Sequence, residues 1–266
     1  MKIFITADIE GITGATKWEE TDQTNQYFLE LREQMTAEVK AACEGALNAG
    51  AKEIVVKDSH GWGCNLLHKK LPREVKLIRS WAAHPYSMMY GIDKTFDATL
   101  VIGYHSQAGT DGSPLAHTMT GNMMHVKIND LLSSEFVISA YTSGYEGVPV
   151  AFLAGDAALC KHAKSFLPGI TTVAVKEAEG SATYNLHPDL AADMIREGVE
   201  NALKGDLSKC RVAMPKTFHV EMGYKRHMDA HRCGFYPGAK QIGPNIVEFT
   251  SDDYFEVLRF FEFCIL

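Results

Sequence analysis

The 266-residue chain has no apolar run approaching the roughly 20 residues that cover a bilayer, so no membrane-spanning helix is expected. The opening Met1-Lys2-Ile3-Phe4-Ile5 meets an acid by Asp8, which is too short an apolar stretch for a secretory leader and lacks a cleavage pattern. The cytoplasm is the expected compartment. Basic charge is scarce: 26 Lys and Arg against 33 Asp and Glu leave a formal charge of −7, and pairs such as Lys69-Lys70 stand isolated. A nucleic-acid surface needs clustered cations, so neither a nucleic acid nor a membrane is an expected partner. The six cysteines (Cys43, Cys64, Cys160, Cys210, Cys233 and Cys264) include no CxxC pair. Thiols scattered through apolar patterns read as small reduced hydrophobes, which leaves histidine and carboxylate to hold any metal.

What is present is an alternation of short β-branched runs with helical periodicity over the first two thirds, the pattern of an α/β fold with a mostly parallel sheet flanked by helices. Strands are expected near residues 2–7, 53–57, 76–79, 99–103, 124–129, 150–154 and 172–176. Tyr27, Leu31, Met35, Val39, Ala42 and Ala46 recur at helical spacing, with Gly50 as the stop. A second helix is expected over 135–144, capped by Ser133 or Ser134, and a third from Pro188 to Leu203. A turn and return strand are expected over 204–213, then a strand at 218–222, another at 245–250 and a final helix over 252–263. The expected organisation is a larger α/β portion over 1–205 and a smaller C-terminal α+β portion over 206–266, with a soft boundary.

In an open parallel sheet, ligands gather beyond the carboxyl ends of the strands. The first strand ends in Thr6-Ala7-Asp8-Ile9-Glu10-Gly11, which places two carboxylates on one side of an extended segment. The second runs into Asp58-Ser59-His60-Gly61 and the fourth into Gly103-Tyr104-His105-Ser106. His117 follows a Gly- and Ser-rich loop suited to carrying a catalytic group. Each has a bland alternative: a capping acid, a solvated loop histidine, a core histidine. Glu135, taken alone, is a dipole-favourable residue in a helix's first turn. Counted together, three carboxylates and two imidazoles without a thiolate suit Zn²⁺ or Mn²⁺ and can serve two ions sharing a carboxylate, for which Asp8, at the end of a buried strand, is the natural bridge.

These strings, with Asn65, Ala116-His117-Thr118-Met119 and Asn129 leading to Glu135, resemble the zinc-dependent D-aminopeptidases of the DppA type. The likeness continues through Val148-Pro149-Val150, Ala154-Gly155-Asp156, Thr171–Lys176 and Phe235-Tyr236-Pro237-Gly238, and is weakest between 205 and 232. The resemblance implies two zinc ions per subunit held by Asp8, Glu10, His60, His105 and Glu135, with Asp8 bridging, and His117 as the catalytic histidine. It implies release of N-terminal D-residues, D-Ala typically, from short peptides, and assembly into a decameric ring. Ser106, Thr118 and Ser134 depart from the family's usual Ala, Ser and Gly without removing a ligand. Mn²⁺ and Co²⁺ fit the same donors. The competing readings are a phosphoesterase, an L-specific aminopeptidase, and a metal-stapled oligomer without catalysis. A further metal site in the cluster His219, Arg226, His227, His231 and Arg232 is the weaker alternative to surface or interface residues.

Overall fold

Six residues, Lys2–Ala7, form strand β1, and Ile3 through Ala7 are wholly buried. A strand without a solvent face needs covering layers on both sides, which a parallel α/β sheet supplies. The computed structural model describes residues 1–265. In chain order β1 is followed by α1 (Trp18–Thr21), α2 (Phe28–Asn48), β2 (Glu53–Asp58), β3 (Val75–Ile78), β4 (Ala98–Tyr104), β5 (Met123–Ile128) and β6 (Leu131–Leu132). Then come α3 (Glu135–Tyr145), β7 (Val150–Asp156), α4 (Ala157–Phe166), β8 (Thr171–Glu179), β9 (Ala182–Asn185) and α5 (Pro188–Lys204). The chain closes with β10 (Phe218–Tyr224), α6 (His227–Cys233), β11 (Lys240–Gly243), β12 (Ile246–Ser251) and α7 (Tyr254–Cys264).

The larger sheet runs β3-β2-β1-β4-β7-β8-β9. Its pairings are parallel except β8 with β9. Alternation along β4 divides the core: Leu100 and Ile102 join Met35 and Val39 of α2 and Ile195 of α5 on one face, while Val101 joins Phe136 and Val137 of α3 on the other. Because β1, β2 and β4 are parallel neighbours, their carboxyl ends share one edge of the sheet.

The smaller sheet is antiparallel, ordered β11-β12-β10-β5-β6. It packs through Val126, Val220 and Val247 into the same core cluster as α3 and α7, and Tyr254 Oη donates to the Ile138 carbonyl at 2.8 Å. Between β5 and β6, Asn129 and Asp130 both have positive φ (50° and 64°), the two-residue turn that suits a tight hairpin. That hairpin delivers the chain to Ser134, whose hydroxyl accepts from the Val137 amide and caps α3.

Three expectations need correction. The strand over 124–129 belongs to the antiparallel sheet, and its half-exposed alternation contrasts with the wholly buried β4 and β7. The expected return strand over 204–213 is a single tight turn, Leu207–Cys210, fixed by the Asp206 side chain accepting from Ser208 and by the Cys210 thiol donating to the Gly169 carbonyl. Helix α4, not anticipated, starts where Asp156 caps it by accepting from the Leu159 amide.

Candidate metal centre

The exit of β1 is locked onto the exit of β4. The Asp8 amide donates to Ile102 O at 2.9 Å and the Gly11 amide to Gly103 O at 2.8 Å. The segments are so close that a Cβ on Gly11 would lie 1.8 Å from Tyr104 O, and one on Gly103 would lie 2.2 Å from Asp8 O. Gly103 also has φ +72°, which a side chain disfavours. Gly103→Ala is therefore expected to cost about 3 kcal/mol or more in denaturant unfolding, with loss of bound metal from whatever protein remains folded.

This locking converges residues from four elements. Asp8 and Glu10 leave β1, His60 follows β2, His105 follows β4, and Glu135 opens α3. His60 Nδ1 lies 3.4 Å from Asp8 Oδ1 and 3.0 Å from Glu10 Oε2. His105 Nε2 lies 3.5 Å from Asp8 Oδ2 and 3.4 Å from Glu135 Oε2. The two oxygens of Asp8 thus face two different imidazoles. His117 Nε2 reaches to 3.5 Å from Glu135 Oε1, and its ring stacks on that of His105 with centroids 4.1 Å apart. All six sequence-singled residues are brought together.

In each histidine the other ring nitrogen meets a backbone carbonyl at 2.9 Å: His60 Nε2 on Thr21, His105 Nδ1 on Ser106, His117 Nδ1 on Leu115. A carbonyl only accepts, so that nitrogen carries hydrogen. In the neutral ring a lone pair is then aimed inward at the carboxylates. Two lone-pair donors facing one another at 3.0–3.5 Å repel unless a proton or a cation lies between. Glu10 Oε2 and His105 Nε2 are buried without a hydrogen-bond partner. With Asp8 and Glu10 2% exposed and Glu135 3%, solvent cannot supply the missing partners. The donor set fits a divalent cation. Two groups of three have donor atoms close enough to share an ion, Asp8 with Glu10 and His105, and His105 with His117 and Glu135.

Buried groups outside the candidate ligand set hold these loops. Asp58 accepts from the Asn65 and Leu66 amides and the Asn65 side chain, and that side chain also donates to His60 O. Asp156 accepts from the amide and hydroxyl of Ser106, both at 2.6 Å. Lys176, on β8, donates to the carbonyls of Glu10 and Ala15. Each fixes the backbone beside one candidate ligand. A lone charge ending an apolar strand was the available signal for Asp156, and a buried lysine within β8 for Lys176; their partners depend on strand order. The His- and Arg-rich segment forms no metal group among the described residues. His219 bonds Thr250, Arg226 pairs with Asp229, and His231 meets the ring of Phe235.

The electrostatics of the metal-free site follow from crowding. Burial, together with the charge of Glu10, pushes Asp8 up to about 6. Burial works upward on Glu10 and Glu135 too, but the facing imidazoles win, holding Glu10 well below the usual range and Glu135 at about 2. Burial would lower His60 and His105, yet Glu10 and Glu135 respectively raise them well above the ordinary value. Raised imidazoles stabilise the metal-free fold fully below the unfolded histidine value near 6.5, and that contribution is lost as pH rises through the folded values. Asp8 acts in the same direction, from its ordinary 3.8 to about 6. The lowered glutamates contribute above 4.5 and lose that contribution as pH falls. With chelator present, the thermal midpoint should therefore fall between pH 6 and pH 9. Added zinc should restore more at the upper end, since the cation displaces those protons. A chelated protein that gains stability over that interval would refute this electrostatic picture.

Above these residues opens a cleft of about 380 Å³, walled by Trp18, Trp81, Met88 and Met119, with the carboxylates at its base. No Lys or Arg lines it.

A family model for peptidase M55, described as D-aminopeptidase, matches residues 1–263. The chain is 33% identical over 261 residues to a D-aminopeptidase of Bacillus subtilis (strain 168), covering 97% of this chain and 94% of that protein. Its structure is similar to that of a Zn-dependent D-aminopeptidase from Bacillus subtilis, DppA, described as a self-compartmentalizing protease. The TM-score is 0.90 at 31% identity, over 98% of this chain and 95% of that one.

Proposed function

Since the chain belongs to the D-aminopeptidase family, peptidase M55, we propose that it is a dinuclear zinc hydrolase releasing N-terminal D-residues from short peptides. The observation that carries this reading is the pair of Asp8 oxygens turned to different imidazoles, with lone pairs and carboxylates opposed across the gap. Glu10 and His60 would hold one ion, His105 and Glu135 the other, and Asp8 both. When bound, such a pair supplies Lewis acidity toward the scissile carbonyl and a nucleophile at neutral pH.

The chain's own residues do the rest. His117, with Nδ1–H fixed on Leu115 O, presents Nε2 beside Glu135 and moves a proton there. Its partial exposure suits exchange with substrate, whereas the His105 side chain is sealed. Preference for D-residues would come from the handedness of the cleft walls. Phosphoester hydrolysis is less well supported: Lys57 turns its ammonium to Asp58 O and the Trp81 ring, leaving no cation for a phosphate. Six free thiols suit the proposed cytoplasmic setting, and no helix among the described residues is long and apolar enough to cross a membrane. By analogy with the self-compartmentalizing relative, the chain would assemble into a ring, proposed to be a decamer, with a solution mass ten times its own 29.4 kDa.

Hydrolysis of D-Ala and L-Ala p-nitroanilides, with and without chelator, tests the reading. The D-substrate alone should be cleaved, and chelation should abolish cleavage. Turnover confined to the L-substrate, or indifferent to chelator, would defeat it.

A further inference from the structure

The cleft wall carries a rigid aromatic face that the ligand set does not use. Trp81 stands over the loop of His60, its indole N–H donating to Gly61 O at 2.6 Å, and the Ser80 amide beside it donating to Gly63 O at 2.7 Å. The ammonium of Lys57, which is wholly buried, lies 4.1 Å from the centroid of the Trp81 ring and so covers the inner face. The indole nevertheless remains 40% exposed and lines the cleft. Trp18, 47% exposed, also lines the cleft and stands edge-on to His117 at 5.2 Å. An exposed aromatic surface pinned by two hydrogen bonds and a buried cation pays little ordering cost when a ligand covers it. Nothing in the lining would pair with an acidic side chain, because its only charged groups besides histidine are the carboxylates at the base.

Building on the aminopeptidase reading, we propose that this cleft selects peptides whose N-terminal D-residue is aromatic, its ring packing on the exposed face of Trp81, with Trp18 as a second aromatic wall. A benzyl group buried on an indole gains both apolar area and ring–ring attraction, so a D-phenylalanine unit should bind at least about tenfold more tightly than a D-alanine unit.

Amino alcohols lack a scissile bond and therefore report binding alone. Calorimetric titration of the zinc-loaded protein with D-phenylalaninol and D-alaninol should give dissociation constants at least about tenfold apart. Trp81→Ala should collapse that ratio toward unity at unchanged zinc content, and Trp81→Phe should preserve most of it. Equal affinities in the parent protein, failure of both alcohols to bind, or a ratio that survives Trp81→Ala would each overturn the proposal. Cleavage of D-phenylalaninamide and D-alaninamide, measured in parallel, keeps the underlying reading separate. If neither amide is hydrolysed the aminopeptidase assignment fails, while the alcohol titration still decides what the cleft prefers.

Discussion

Asp8→Asn is expected to lower zinc content from about two ions per chain to below one and to cut kcat on a D-Ala anilide by about 10³ or more. Asparagine keeps the shape and offers one carbonyl oxygen, but it cannot present two anionic oxygens to two cations. Losing a Lewis acid worth several kcal/mol accounts for the rate, at tenfold per 1.36 kcal/mol. The same change should act oppositely on the metal-free chain. There Asp8 is a buried carboxylate raised to about 6 by burial and by Glu10, so neutralising it should raise metal-free stability by about 1–3 kcal/mol at pH 8. A side chain that destabilises the empty fold and secures the loaded one is the expected signature of a site kept for function. Calorimetric melts with and without chelator, beside elemental analysis, check both signs. A variant still holding about two zinc ions would remove Asp8 as the bridge.

His117→Asn is expected to leave zinc content at the parental level while lowering kcat by about 10²–10⁴, the range for a lost proton-transfer group. The two effects must be read together, because His117 Nε2 is close enough to His105 and Glu135 to share an ion with them. Were it a ligand, zinc would fall with the rate. As a proton carrier it changes the chemistry and not the loading. The kinetic split separates these further: in the variant KM should change far less than kcat.

The candidate ligands Asp8, Glu10, His60 and His105 were legible because each follows a strand, where a short string declares both the element and the polar residue beyond it; Glu135, in the first turn of a helix, stood out only in company with the others and through the family resemblance. Asp8 and Glu10 sit two apart after a buried, mostly apolar strand, and His105 follows Gly103, whose left-handed backbone permits the close approach. Lys176 was not legible as a support for Glu10, since 166 positions separate them and their contact depends on how the β1 exit loop lies beside β8. The misplacement of β5 has a related origin. A six-residue apolar-rich run looks alike in either sheet, and only the alternation His125, Val126, Lys127, Ile128 marks a strand with one wet face. Trp18 and Trp81 carried no signal as cleft walls, because α1 is one turn long and the Trp81 segment is irregular.

The central claim is that five side chains distant in sequence share one pair of cations. Crystals of the zinc-loaded protein, measured on either side of the zinc absorption edge, test it most directly. Two anomalous peaks about 3.5–4 Å apart, one between His60, Glu10 and Asp8 Oδ1 and the other between His105, Glu135 and Asp8 Oδ2, are the predicted result. A single peak, or peaks lying away from Asp8, would contradict it.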